Sequence, residues 1–162
     1  MFKVNDKVVH SREGLSTIVG TTKMGDNEYF VIHADRGSGE NIYVLINNTG
    51  KLIREIMNKD EALKVIDYMK TIEAEFIANT KQRRDIYRRK LLSGDVLDLA
   101  YLSRQLYIYY FYNENGQPVR LGPTDIQILK DAELILFDEF ALSFGINRED
   151  VGQYIKTLLN YN

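Results

Sequence analysis

The feature that most constrains this chain is a change of hydrophobic period near residue 58. Before it, short runs rich in β-branched and aromatic residues alternate with turn clusters. KVVH, STIVGTT, EYFVIHA, NIYVLI and KLIREI are separated by SREG, KMGDN and DRGSGEN. Runs of this length bounded by Gly, Asp, Asn and Ser predict strands joined by tight turns. Five of them within 57 residues predict a small, strongly bent sheet, an SH3-like or Tudor-like barrel. In EYFVIHA both alternating faces are apolar, so this segment is expected to be a central strand.

From residue 59 the apolar positions recur at helical spacing. KDEALKVIDYMKTIEAEF predicts a helix to about Phe76, with Asn58 as its N-cap. A second is expected over 80–92, ended by Gly94 as a C′ residue. Asp95 should cap a third running to about Phe111, which buries Val96, Leu99, Ala100, Leu106 and Tyr110. After a loop, NENGQPVRLG, Pro123 suits the first turn of a long helix closed by Gly145. Asn147 should cap a last helix ending near Leu159. The fold class is therefore α+β in two domains: an all-β small barrel over 1–57 and an all-α bundle over 80–162, with 58–79 as a connecting helical segment.

Composition narrows the function. An apolar fraction of 44% supports a core, and no run of about 18 apolar residues predicts a membrane span. MFKVNDKVVH lacks the apolar stretch of a signal peptide, so a cytoplasmic location is expected. With no cysteine, thiol catalysis and thiolate metal sites are excluded. His10 and His33 fall in predicted strands and read as packed or surface residues. GSGEN lacks the spacing of a phosphate-binding loop and reads as a hairpin turn. Asp60/Glu61, Glu73/Glu75 and Asp138/Glu139 are neighbours that do not face each other on a helix. No metal motif and no catalytic constellation emerges, so the chain is read as a non-enzyme without cofactor or metal.

The net charge of -2 hides a gradient. Residues 80–104 carry 7 basic and 3 acidic side chains, whereas 1–79 and 105–162 both have an acidic excess. Within NTKQRRDIYRRKLLSGDV, a helix places Lys81, Arg84 and Arg88 on one stripe with Arg83, Tyr87 and Lys90 beside it. Ile86, Leu91 and Leu92 are expected to reach the core. Such a run is either a solvated face or a phosphate-binding one, and arginine favours the second because its planar guanidinium pairs bidentately with phosphate. Of the dense tyrosines, Tyr107 and Tyr110 fit the apolar stripe, and Tyr101, Tyr109 and Tyr112 are candidates for a surface.

The opening FKVNDKVVHSREGLSTIVG resembles the start of the CarD family of bacterial transcription regulators, Phe-x-Val-Gly-Asp-x-Val-Val-x-Pro-x-x-Gly-x-Gly. That module is shared with the transcription-repair coupling factor. EYFVIHA and NIYVLINN are similar to two further strands of the family. RRDIYRRKLLSGDVLDLAYLSRQL resembles its Arg-Arg, Leu-x-Ser-Gly-Asp and Ala-x-x-x-Arg-x-Leu elements. The resemblance implies a Tudor-like domain that binds the β subunit of RNA polymerase, through Lys23, Ile42, Tyr43 and Val44 here. It implies a helical domain that contacts promoter DNA weakly and without sequence specificity, through Thr80, Lys81, Arg83, Arg84, Arg88 and Lys90. The implied job is to stabilise the open complex, for example at ribosomal RNA promoters, with the protein placed on the nucleoid through the polymerase. An adaptor that uses the Tudor-like domain without touching DNA is the alternative.

Several positions depart from the family pattern. Asn5 replaces a Gly, Ser11 a Pro and Leu45 the strand Pro, and Tyr43 stands where some members carry a polymerase-contacting arginine. At the DNA end, Thr80 occupies the place of a tryptophan that would wedge against the bubble edge, and the chain has no tryptophan.

Overall fold

A computed structural model describes residues 1–114 and 120–160. Five antiparallel strands form one sheet in the order β4-β3-β2-β1-β5: β1 Lys7–His10, β2 Gly14–Met24, β3 Asn27–Ala34, β4 Ile42–Leu45 and β5 Ile53–Arg54. β2 is long enough to pair with β1 at its start and β3 along most of its length. Its register shifts between Ile18 and Gly20, so Val19 is bulged and the sheet bends there. Val44 of β4 and Ile53 of β5 lie at opposite edges yet share one core with Val8, Ile18, Phe30 and Ile32. Only a sheet curled on itself brings its edge strands to one core, which agrees with the barrel expected from the sequence.

Two departures from the family pattern have local reasons. Asn5 sits at φ +75, in the left-handed region, and asparagine is one of the few residues with a side chain that tolerate it. Its N–H donates to Ile18 O at 2.7 Å, pinning the N-terminus to β2. Ser11 donates its N–H to Leu52 O at 2.8 Å, a bond a proline could not make.

Five α-helices follow: α1 Lys59–Thr71, α2 Thr80–Ser93, α3 Val96–Glu114, α4 Pro123–Phe144 and α5 Val151–Leu158. Asn58 and Glu61 form a capping box at α1, and Gly94 and Gly145 end α2 and α4 in the left-handed conformation. α1 is five residues shorter than expected. Ile72 turns extended, and the side chain of Gln105 takes up the backbone of Glu73 and Glu75 beyond it. The last helix is preceded by a 3-10 turn, Arg148–Asp150, and Asn147 makes no side-chain cap there.

α1 is no mere connector. Ala62, Val65, Ile66 and Met69 join the same apolar core as Leu99, Leu102, Leu129, Leu136, Phe140 and Val151. α3 is buried almost all round over residues 99–109, as expected of a helix with neighbours on several sides. Tyr110, expected in the core, is 42% exposed, whereas Tyr101 and Tyr109, expected at the surface, are buried. The side chain of Tyr112 and residues 115–119 of the expected loop lie outside the described residues.

The sheet and the helices are tied together by α4 and the end of α2. Glu139, fully buried, accepts from Arg54 Nη1 and Nη2 at 2.6 and 2.7 Å and from Met57 N at 2.9 Å. Beside it, Asp138 accepts from Arg36 and from Arg148. A buried carboxylate with three donors is held far more firmly than a surface pair, because losing one partner leaves a charge without compensation. Gly94 packs so closely on Ser11 that a Cβ there would lie 2.4 Å from Ser11 O.

Candidate functional site

Two surfaces collect the residues singled out by the sequence. The first is the outer edge of β4, which pairs with β3 on one side only and so leaves a row of backbone groups open. Within it the pleat divides the expected contact residues. Val44 is fully buried opposite Phe30, and Ile42, opposite Ile32, packs against the sheet core. Their side chains hold the strand, and only their backbone faces the edge. Tyr43 points the other way and is 46% exposed opposite Val31. Asn41 steadies it: Nδ2 donates to Tyr43 OH at 3.3 Å, while Oδ1 lies 2.7 Å from His33 Nε2. Bulged Val19, 42% exposed, adds a further apolar side chain on β2, beyond β3. Lys23 is exposed near the tip of the β2–β3 hairpin, one strand away, where it lies 3.7 Å from Glu28. Asn41, His33 and Val19 are contributors that sequence reasoning did not assign to this surface. Alternation puts His33 on the face of Val31, and the register that pairs Val31 with Tyr43 brings the two strands' residues to one face.

The second surface is α2. Its inward face is set by Tyr87, 2% exposed, whose burial pushes its phenol up to about 12. Arg83 lies one turn before Tyr87 and is therefore on the same face. Arg83, expected to face DNA, is turned inward instead: its side chain is 3% exposed, Nη2 donates to Asp125 at 2.9 Å and Nη1 to Ile77 O at 2.8 Å. The sequence showed the charge but not its partner, 42 residues away. Lys90 is also engaged within the fold, 3.0 Å from Asp98 Oδ1 and 4.6 Å above the Tyr101 ring. Tyr101 in turn donates to Glu75 at 2.5 Å, and burial followed by that bond raises its pKa. Leu92, expected in the core, is 52% exposed on the opposite face.

What remains outward is Lys81, Asp85, Arg88, Arg89 and Leu92, at i, i+4, i+7, i+8 and i+11. Among the described residues Lys81, Arg88 and Arg89 enter no ion pair, so the face keeps its charge. Arg89 was not singled out by the sequence; taking Tyr87 as the core position places it on this face. Arg84 lies between the two sides, 38% exposed, with Nε 3.8 Å from Asp125 Oδ1. Thr80 is the exposed first residue of the helix, and Asn79 caps it by accepting from Gln82 N at 2.9 Å.

His10 is 6% exposed, and its Nδ1 accepts from the N–H groups of Arg12 and Glu13 at 3.3 Å. Burial, only partly opposed by Glu13, lowers its pKa. Among the described residues no cluster of three metal-ligating side chains occurs, and no helix is long and apolar enough to cross a membrane.

Comparison with known families covers both halves of the chain. Residues 2–57 match the CarD-like/TRCF RID domain, and residues 64–156 match the CarD C-terminal domain. A search of curated protein sequences gave no match.

Proposed function

The chain belongs to the CarD family, and from that membership we propose that it is a regulator that docks on the β subunit of RNA polymerase and steadies the open promoter complex. A transcription-related, polymerase-interacting protein follows from the two matched domains, both of them interaction domains. The finer reading rests on one observation above all. The outward face of α2 presents Lys81, Arg88 and Arg89, which enter no ion pair among the described residues, on a helix where Arg83 and Lys90 are engaged inside the fold.

In this reading β4 adds its open edge to a strand of the polymerase, with backbone hydrogen bonds giving affinity and Tyr43 giving specificity in place of a salt bridge. The α2 face then lies against promoter phosphates. Tethering through the first domain makes a weak second contact sufficient, because the effective concentration is high. A contact made only in the open complex shifts the closed–open equilibrium, and about 1.4 kcal/mol of it is worth tenfold. Thr80 has no ring to stack on an unpaired base, so stabilisation here depends on phosphate contacts alone.

Engagement of Arg83 and Lys90 within the fold leaves a smaller cationic surface, which supports a second reading as an adaptor without DNA contact. One experiment separates the two: the lifetime of the open complex at a ribosomal RNA promoter, with and without the protein, alongside capture of the polymerase β subunit. The regulator prolongs the lifetime and binds β. Capture of β with an unchanged lifetime establishes the adaptor instead.

A further inference from the structure

Where the N-termini of α2 and α4 converge, an open cleft of about 530 Å³ is lined by Thr80, Arg83, Arg84, Arg120 and Gly122. Charge is placed there against the usual rule. The N-terminus of a helix carries a partial positive charge, and cations near it are unfavourable. Yet Arg84 is seated over the first turn of α4, close enough that a Cβ on Gly122 would lie 3.2 Å from its Nη2. Arg120, exposed, stands two residues before the same helix start and enters no ion pair among the described residues.

The one acid at hand does not neutralise the cleft. Asp125 is shared between Arg83 at 2.9 Å and Arg84 at 3.8 Å, and it also accepts from Gly122 N at 3.1 Å. Arg83 Nε and Arg84 Nε are buried without a hydrogen-bond partner among the described residues, as is Asp125 Oδ1, which lies 3.8 Å from Arg84 Nε. Gly122, the N-cap of α4, has no side chain to accept from the N–H groups of Thr124 and Asp125. A tetrahedral oxyanion in the cleft would meet the outer guanidinium groups of Arg84 and Arg120 and the uncapped N–H groups at once.

The geometry points to a phosphate-binding cleft between α2 and α4, which in the promoter complex holds one backbone phosphate. This rests on the DNA contact proposed above and extends it to Arg84, Arg120 and Gly122, two of which lie outside α2. Gly122 has an ordinary φ of -83, so an alanine there adds bulk under Arg84 without backbone strain.

The test compares the full chain with Arg120→Ala and Gly122→Ala, each verified to melt with the parent. In fluorescence anisotropy with a promoter duplex, Arg120→Ala should weaken binding and flatten the log–log salt dependence by about one. In an amide NMR titration with inorganic pyrophosphate, Thr124 and Asp125 should shift and saturate, roughly tenfold more weakly in Arg120→Ala. Gly122→Ala should weaken both. Pyrophosphate binding without any DNA binding by the parent supports the cleft while removing the DNA reading. Unchanged salt dependence in Arg120→Ala, or pyrophosphate that leaves Thr124 and Asp125 unmoved, overturns the cleft.

Discussion

The two domains support their surfaces by opposite means. The sheet encloses an apolar core of six residues, and its candidate contact is the backbone of an edge strand. The helical domain buries Arg83, Asp125 and Glu139, and its candidate contact is a row of side chains on one face of α2. A backbone edge needs only to be left unpaired. A side-chain face depends on which way its helix is turned, and in α2 the buried Arg83–Asp125 pair and Tyr87 fix that rotation. The same residue type therefore carries two roles on one helix, structural at Arg83 and solvent-facing at Arg88.

The largest effect should come from breaking the inner side. Asp125→Ala leaves the Arg83 guanidinium buried and unpaired, at a cost of about 3–5 kcal/mol, and thermal melting should fall by about 10 °C or more. Replacing both partners by Arg83→Met/Asp125→Leu should recover most of that loss, since an apolar pair has no charge to desolvate. If the double variant melts no higher than Asp125→Ala, the pair fixes more than its own charge.

The next effect lies at the seam of the two domains. Gly94→Ala places a methyl on Ser11 O and holds alanine at φ +64. The left-handed conformation alone costs about 1–2 kcal/mol, and the clash adds to it. Calorimetry should show a lower melting temperature and weaker coupling between the sheet and the helices.

Smaller still is a pH effect confined to the sheet. Burial lowers the pKa of His10 in the folded state, so the unfolded chain takes up the proton first. Stability from this group is present above about pH 6.5, the unfolded value, and is lost as pH falls through the folded pKa. Melting temperature should drop between about pH 7 and 5. His10→Asn, whose Oδ1 can accept from Arg12 and Glu13 without titrating, should flatten that drop, and an equally steep profile would contradict it.

Much of this comparison was legible in the sequence, but unevenly. The change of period falls between β5, which ends at Arg54, and α1, which starts at Lys59, and Asn58, Gly94, Pro123 and Gly145 marked helix ends that the structure repeats. The faces of α2 and α3 were not legible. α2 offers a single aromatic, Tyr87, to announce its inner side among many charges. α3 is apolar nearly all round, so Tyr101, Tyr109 and Tyr110 could not be sorted without knowing what packs on each side. Ion pairs that join distant segments were beyond reach for the same reason: Arg36 meets Asp138 across 102 residues, and Arg54 meets Glu139 across 85.

The central claim is that α2 has a structural inner face and a DNA-facing outer one. It is tested most directly by measuring open-complex lifetime at a ribosomal RNA promoter for Lys81→Ala/Arg88→Ala/Arg89→Ala, with thermal melting recorded on the same samples. Exposed substitutions of this kind shift stability by no more than about 0.5 kcal/mol each. The account predicts near-parental melting and a lifetime reduced to that of polymerase alone. A parental lifetime in the triple variant would contradict it.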